Sequence, residues 1–216
     1  MEIAVWSDFA CPWCALGLYR LDAARARFEH GDEITVVHRS FELDPRAPAV
    51  RPQTMEEVLA AKYGMSPEQV HAGHARLTSL GEEVGMAFSF ERIRLGSTFD
   101  AHRLAASVRG TAAEEALVKA LFAAYFSEGR QLSDPAVLTE VGVSVGLAVA
   151  DVLAVVESPD TFAAEVRADE AQARELEITG VPYFLINGKW AVPGAQDVET
   201  LVTVLQRAWE RTELVG

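Results

Sequence analysis

The feature that most constrains the fold is a pair of cysteines at the junction between an apolar run and a helix. The run covers residues 3–10, and Cys11-Pro12-Trp13-Cys14 follows it directly. A buried strand over 3–9 and a helix from about Pro12 to Phe28 are predicted, because proline suits the first turn of a helix. Both cysteines of the protein lie in these four residues. Such a pair can close a disulfide and reopen it without rebuilding the fold.

A second strand completes a βαβ unit at the front of the chain. Residues 33–41 are rich in β-branched and apolar side chains, which favours a strand. The two strands should therefore be parallel and joined by a right-handed crossover. The helix between them is expected to turn these side chains to the core: Leu16, Leu18, Leu21, Ala24 and Phe28.

The middle of the chain reads as almost entirely helical after a proline-rich loop over 44–52. Capping boxes at Thr54-x-x-Glu57 and Ser66-Pro67-x-Gln69 each predict a helix start. Residues 88–90 are predicted to be briefly extended, and the apolar window 141–156 to be a buried helix, too short to span a bilayer. Further helices are predicted over 98–108, 114–127, 135–145 and 158–176.

The pattern returns to strands after Gly180-Val181-Pro182. Asn187-Gly188 separates the apolar runs 183–186 and 189–192, which predicts a hairpin with positive φ at both turn residues. A closing helix from Asp197 to about Arg211 places Val198, Leu201, Val202, Leu205 and Trp209 on one face.

These elements predict an α/β protein in which βαβ and ββα halves share one four-stranded mixed sheet. Residues 1–43 and 159–216 are predicted to form this discontinuous domain, with 44–158 as an all-helical insertion lobe. The chain has 216 residues, half of them hydrophobic, which is ample for a buried core.

The charge and the N-terminal sequence limit which partners and which location are expected. The formal net charge is −13 and no basic run occurs, so a nucleic-acid-coating surface is not expected. The chain begins Met1-Glu2 and enters a strand directly, without the pattern of a secretory signal, and carries no membrane-spanning pattern. A cytoplasmic protein that binds neither membrane nor nucleic acid is therefore expected. In a reducing compartment, cysteines this close together are more often catalytic or metal-binding than a structural staple.

Several motifs in the same order resemble the DsbA-like thioredoxin-fold family, and within it the FrnE-like subgroup. They cover nearly the whole chain: residues 9–14, 41–45, 98–102, 121–129, 180–184 and 194–196. The superfamily also includes 2-hydroxychromene-2-carboxylate isomerase and kappa-class glutathione transferases, which have a serine where Cys11 stands. The cysteines here favour thiol chemistry.

Cys11 at the start of its helix is predicted to be the nucleophile, because free N–H groups and the helix dipole favour a thiolate there. Cys14, one turn later and more buried, is predicted to be the resolving thiol. Pro12 and Trp13 are expected to tune the redox potential, although Trp13 could equally contact a partner. The resemblance implies a cis Val181–Pro182 bond facing the disulfide, with the Val181 backbone free to pair with substrate.

The remaining polar candidates are weaker. His102 lies in one of the family-like motifs and is a candidate for lining a groove, with a structural hydrogen bond the favoured interpretation. Asp8, three residues before Cys11, would disfavour the thiolate if it lay close; the alternatives are that it turns away or assists proton transfer to Cys14. His71 and His74 are interpreted as a solvated helix face, and no metal site is predicted. Gly194-Ala195-Gln196 is expected to shape the start of the last helix.

The leading hypothesis is a thiol-disulfide oxidoreductase or isomerase acting through Cys11 and Cys14. It needs no dissociable cofactor, and glutathione is one candidate redox partner. Its substrate would be a protein or small-molecule thiol or disulfide, and a separate partner would reset the pair. Two alternatives remain: a glutathione-dependent transferase or isomerase of a small aromatic metabolite, and a non-enzymatic zinc- or peptide-binding chaperone-like module.

Overall fold

A four-stranded mixed sheet forms the centre of the protein in a computed structural model, which describes residues 1–213. The strands are β1 (Glu2–Ser7), β2 (Thr35–Ser40), β3 (Tyr183–Ile186) and β4 (Trp190–Pro193), in the order β2-β1-β3-β4. β1 is parallel to β2 and antiparallel to β3, and β3 and β4 are antiparallel. The predicted mixed sheet with a helical insertion is confirmed.

The helices of the described residues fall mostly between β2 and β3. In chain order they are α1 (Pro12–Arg27), α2 (Met55–Tyr63), α3 (Pro67–Glu82), α4 (Phe99–Ser107), α5 (Glu114–Phe126), α6 (Pro135–Ser144), α7 (Val149–Val156), α8 (Ala163–Glu175) and α9 (Val198–Glu213). Short 3-10 turns occupy Gly31–Glu33 and Phe90–Arg92. Both predicted capping boxes are present, at Thr54 and Ser66.

The main core joins the sheet and the packed helices α1 and α9 to buried side chains of α4, α5, α6 and α7. All five apolar side chains predicted to face inward from the first helix are buried. On α9, Leu201 and Leu205 are buried, whereas Val198, Val202 and Trp209 are partly buried and pack against the same core. The spacing of apolar residues thus predicted both faces correctly.

Side chains from the helices cover the outer edge of β2. Its backbone N–H groups at His38 and Ser40 donate to Glu114 and Asp169 at 2.7 and 2.9 Å. Arg109 donates to the His38 carbonyl at 3.1 Å and also pairs with Asp169. These groups satisfy an edge that would otherwise be open to pairing with another strand.

Four predicted extended segments need correction. β2 covers Thr35–Ser40 rather than 33–41, because Gly31–Glu33 form a 3-10 turn before it. β1 ends at Ser7 rather than residue 9, because the Asp8 carbonyl accepts from Cys11 N at 3.0 Å and turns the chain. Residues 88–90 form no strand. Instead, Ser89 N bonds the Phe126 carbonyl at 2.8 Å and a 3-10 turn follows. The last strand begins at Trp190, one residue late, after a turn in which Asn187 and Gly188 have the predicted positive φ.

The prediction of one buried helix over 141–156 is wrong. The chain breaks between α6 and α7, where Gly146 takes a φ of 91° that other residues rarely adopt. The helix predicted from 158 begins only at Ala163. Arg103 explains the delay, since its Nη1 donates to the carbonyls of Val155, Ser158 and Thr161 at 2.7, 2.6 and 2.9 Å. Those carbonyls are thereby held in a non-helical turn.

No helix within residues 1–213 is long and apolar enough to cross a membrane. The division into segments 1–43, 159–216 and 44–158 stays a prediction, and its last three positions lie outside the described residues.

Candidate active site

Cys11 and Cys14 lie at the start of α1, directly after the turn that ends β1. Cys11 is the N-cap residue, and its carbonyl accepts from Cys14 N and Ala15 N at 3.0 and 3.3 Å. Cys11 is 5% exposed and Cys14 is fully buried, and both are free thiols. Of the two cysteine sulfurs, that of Cys11 is therefore the one that a large substrate could approach.

The Val181–Pro182 segment lies opposite Cys11. The Cys11 thiol donates to the Val181 carbonyl, with a Sγ–O distance of 3.7 Å, and the Val181–Pro182 bond is cis, as the resemblance implies. The Pro182 ring is buried against Gly17 of α1, and the Pro182 carbonyl accepts from Gly194 N at 2.8 Å. Cys11 and Val181, which are 170 positions apart in the sequence, thus contact each other at the Cys11 sulfur.

Burial raises the pKa of the Cys14 thiol well above its ordinary value, and the hydrogen bond and charge of Cys11 raise it further. The backbone of Asp8 lowers the pKa of this thiol, while the Asp8 carboxylate raises it. Cys14 is consequently a protonated thiol at neutral pH in the reduced protein.

Asp8 is a buried carboxylate at the centre of the hydrogen bonds beneath the motif. It accepts from Ala10 N at 3.1 Å, from Leu43 N at 2.7 Å and from Thr98 Oγ1 at 2.8 Å. Burial alone would raise the pKa of Asp8, but His102 and the backbone N–H groups of Leu43 and Ala10 outweigh burial and lower it. Asp8 is therefore ionised, and it faces inward rather than away from the cysteines.

His102 on α4 lies below the motif and not along an open groove. Its ring is only 3% exposed, and its Nε2 is 3.5 Å from Asp8 Oδ1. The ring also packs against Phe9, with centroids 4.8 Å apart. This burial is typical of a structural role for His102. The sequence did not predict that its ring lies next to the Asp8 carboxylate.

A pair of glutamates that the sequence did not bring together lies beside this site. Glu42 follows β2 and Glu170 lies on α8, and both accept from Arg167 Nη1, at 2.6 and 2.7 Å. Burial raises the pKa of Glu42 to about 6, with Arg167 opposing the shift and Glu170 adding to it. Glu42 lies in the quoted segment 41–45, but no sequence pattern joined it to Glu170.

The rim of the site carries exposed apolar side chains. Trp13 and Leu43 are each 39% exposed, and Pro12 is partly buried. Arg20 fixes the nearby segment 194–196 by donating to the carbonyls of Ala195 and Gln196 at 2.9 and 3.4 Å. This segment precedes α9, in agreement with the prediction that it shapes the start of that helix.

His71 and His74 belong to a different region. A cleft of about 1020 Å³ between α2, α3 and the loops before α4 and α6 is lined by His71 and His74, but by neither cysteine. His71 is exposed, whereas His74 stacks on Phe90 at 4.0 Å, so only His71 fits a solvated face. The part of the chain that the structure describes holds no cluster of three or more potential metal ligands.

A protein-family model matches residues 2–206 of the chain. The model is that of the DSBA-like thioredoxin domain. The match includes the cysteine motif, the helical insertion and the Val181–Pro182 segment.

The solved structures that resemble this one include the following three. A probable DsbA oxidoreductase from Streptomyces coelicolor is 41% identical, with a TM-score of 0.91 over 97% of this chain and 90% of the other. 2-Hydroxychromene-2-carboxylate isomerase is 14% identical, with a TM-score of 0.72 over the whole of both chains. The cytosolic disulfide reductase DsbM from Pseudomonas aeruginosa, with GSH, is 16% identical, with a TM-score of 0.66 over 97% of this chain and 100% of that one. The last two likenesses concern the fold alone.

Proposed function

Because this chain belongs to the family of DSBA-like thioredoxin domains, we propose that it is a thiol-disulfide oxidoreductase that works through Cys11 and Cys14. One observation carries the proposal: the partly accessible Cys11 sulfur lies at the start of α1 and 3.7 Å from the Val181 carbonyl, with a buried thiol one turn behind it. This arrangement provides an attacking sulfur, a resolving sulfur and a backbone segment beside them.

The two thiols carry out different steps of the reaction. The Cys11 thiolate attacks a substrate disulfide, forms a mixed disulfide and releases the other substrate sulfur as a thiolate. Cys14 then loses its proton and attacks the Cys11 sulfur, so the Cys11–Cys14 bond forms while the bond to substrate breaks. Two electrons pass from the cysteine pair to the substrate. In the reverse direction the oxidised pair makes a disulfide in a dithiol substrate.

The rim of the site supports an extended or apolar substrate segment. The Val181 N–H has no hydrogen-bond partner within residues 1–213 and lies beside the reacting sulfur, so it can pair with a substrate backbone. Trp13, two residues after Cys11, and Leu43, whose N–H donates to Asp8, each expose apolar surface. Pro12 and Trp13 adjust how the helix begins and how far the disulfide is exposed.

The proposed setting is the cytoplasm, with glutathione as one candidate for the thiol that resets the pair. In support, both cysteines of the chain lie in the motif, and a protein of the same fold is described as a cytosolic disulfide reductase with GSH. Whether the pair works as reductant, oxidant or isomerase depends on its reduction potential relative to the glutathione pool.

Reduction of insulin by dithiothreitol and refolding of scrambled ribonuclease test the proposal. Cys11→Ser is expected to abolish both activities, and Cys14→Ser to leave only slow, single-thiol exchange. Glu165→Gln, on the exposed face of α8, keeps both sulfurs and the whole motif, so it serves as the control and should retain activity. Activity of Cys11→Ser at the level of the unchanged protein would refute the proposal.

A second candidate, a glutathione-dependent transferase or isomerase of a small aromatic metabolite, is favoured by the cleft in the helical region. Its volume of about 1020 Å³ suits a small ligand, and the parallel rings of His74 and Phe90 could stack on an aromatic one. Saturable glutathione binding without any thiol-disulfide exchange would favour this candidate over the first.

A further inference from the structure

Arg20 is a buried arginine on the same helix as the cysteines, and the exchange reaction described above gives it no role. It is 9% exposed, and its Nη1 donates to the carbonyls of Ala195 and Gln196 at 2.9 and 3.4 Å. Within the described part of the chain it forms no salt bridge. A buried charge is costly unless it is paired. The two carbonyls are therefore the groups that compensate for the burial of Arg20, and they tie α1 to residues 195–196.

The segment 194–196 in turn holds the backbone that faces Cys11. Gly194 takes a φ of 75°, a left-handed conformation that other residues rarely adopt, and its N–H donates to the Pro182 carbonyl at 2.8 Å. The preceding carbonyl, that of Val181, is the one to which the Cys11 thiol donates, at 3.7 Å. A continuous set of hydrogen bonds thus leads from the buried guanidinium to the backbone beside the reacting sulfur.

Helix α1 contacts this backbone at two points on one of its faces. Gly17 lies against the Pro182 ring, and Arg20, three residues later, donates to the Ala195 carbonyl. Residues three apart lie on the same face of a helix. A Cβ atom added at Gly17 would also lie 3.5 Å from Ala195 Cβ, so the two contacts adjoin. Because Cys11 is the N-cap of the same helix, the sulfur and the backbone opposite it are both fixed to one rigid element.

The position of the Val181 backbone matters for substrates that have a backbone of their own. The Val181 N–H has no partner among residues 1–213, so it can pair with an extended peptide. The peptide's disulfide then reaches the Cys11 sulfur only if the two groups are held in the right relative position. A small disulfide has no strand to pair. A residue that fixes Val181 therefore acts on peptide substrates and leaves small ones unaffected.

We propose that Arg20 is a positioning residue that holds the Val181 backbone beside the Cys11 sulfur and thereby favours disulfides within an extended peptide. This inference rests on the proposed function. Arg20 hydrogen-bonds to neither cysteine sulfur, and it acts through residues 194–196 and the Pro182 carbonyl.

The test compares two disulfides that release the same thiol. One is a short extended peptide whose central cysteine is joined to mercaptoethanol, and the other is hydroxyethyl disulfide, which has no peptide backbone. In both reactions the disulfide is reduced to two thiols while dithiothreitol is oxidised to its cyclic disulfide. The kcat and the KM of the full chain are measured for each substrate after subtraction of the uncatalysed rate.

Arg20→Met keeps the length of the side chain and removes its donors. It should raise the KM for the peptide by roughly 3- to 10-fold, the scale of one hydrogen bond. The kcat for the peptide, and both constants for hydroxyethyl disulfide, should stay close to those of the unchanged protein. Arg20→Lys, which keeps a donor at this position, should recover part of the lost affinity for the peptide.

Two other arginines provide matched controls. Arg27→Gln removes an exposed contact between α1 and Glu199 of α9. Arg103→Lys weakens a buried arginine on α4 that also donates to backbone carbonyls. Both variants should keep the ratio of the two KM values, because neither contact leads to Val181.

An Arg20→Met protein with an unchanged ratio of KM values would overturn this role of Arg20. An equal loss of activity on both substrates would overturn it too, because a merely structural residue affects both alike. If Arg20→Met fails to fold, Gly194→Ala takes its place, since it strains the turn that donates to Pro182, and an unchanged ratio there is equally decisive against the proposal. Turnover of either substrate by Cys11→Ser would instead refute the proposed function, so the two failures are distinguishable.

Discussion

Gly17 on α1 lies directly against Pro182, and this contact holds the segment that faces Cys11. A Cβ atom added at Gly17 would lie 2.9 Å from Pro182 Cγ and 3.4 Å from Phe184 Cζ. That first separation is shorter than a real Cβ contact tolerates. The absence of a side chain at Gly17 therefore sets how closely Val181 approaches the Cys11 sulfur.

Gly17→Ala is expected to weaken both the fold and the exchange reaction. Overpacking at such a contact costs about 1–3 kcal/mol, which exceeds the roughly 0.5–1 kcal/mol that alanine gains over glycine inside a helix. Gly73→Ala on α3 is the matched control, because an added Cβ there meets nothing within 4 Å. Urea unfolding should show a loss for Gly17→Ala and a small gain for Gly73→Ala. A Gly17→Ala protein as stable and active as the original would show that the contact between Gly17 and Pro182 adjusts without cost, and would contradict this prediction.

Asp8→Asn should destabilise the protein at neutral pH by about 1–3 kcal/mol, because an amide cannot accept from all the groups that Asp8 pairs with. The pKa of Asp8 is lowered in the folded protein, below its ordinary value of 3.8. The stabilisation is therefore present above about pH 4 and is lost as the pH falls through the folded pKa. Urea unfolding at several pH values should show the two proteins converging in acid. A difference in the free energy of unfolding that stays constant across the pH range would contradict this role of the ionised Asp8 carboxylate.

His38→Leu should remove part of the protein's sensitivity to acid. Burial, followed by the charges of Arg109, Lys119 and Arg25, lowers the pKa of His38 from 6.5 to about 3. The unfolded chain thus takes up a proton near pH 6.5 that the folded chain refuses, so stability falls as the pH drops from there towards 3. The slope from this group is about 1.4 kcal/mol per pH unit. His71→Leu, which replaces an exposed histidine, is the control and should keep the full dependence of stability on pH. Equal slopes in both variants would exclude His38 as its source.

Arg103→Lys tests how the chain is held between α7 and α8. The guanidinium is 1% exposed and donates to Asp100 and three carbonyls, which a single ammonium group cannot match. A loss of about 3 kcal/mol is expected, on the scale of hydrogen bonds to a charged group. Arg174→Lys, on the exposed face of α8, should change the stability little. Similar unfolding midpoints for both variants would contradict this role of Arg103.

Local sequence patterns predicted both capping boxes and the ends of the four strands to within two residues, because each of these depends on residues close together in the chain. Apolar spacing identified the buried face of α1, and Asn187-Gly188 identified the hairpin. The contact of Arg103 with residues 155–161 was not predictable, since it joins segments more than fifty positions apart and overrides the local preference for helix.

The surroundings of the cysteines were harder to predict than the cysteines themselves. A Cys-x-x-Cys pair is a local signal, whereas Asp8, His102 and the Glu42–Glu170 pair come from four different elements. Their proximity arises only when α4 and α8 pack beside β2. The sequence raised Asp8 and His102 as separate candidates, but only the fold shows that their side chains meet.

The most direct test of the central claim is mass spectrometry of Cys14→Ser and Cys11→Ser proteins after incubation with oxidised glutathione. If Cys11 is the attacking thiol and Cys14 the resolving one, Cys14→Ser should accumulate one glutathione per chain, attached at Cys11. Cys11→Ser should remain unmodified over the same time, because Cys14 is fully buried. Equal labelling of both variants, or labelling of Cys11→Ser alone, would contradict the account.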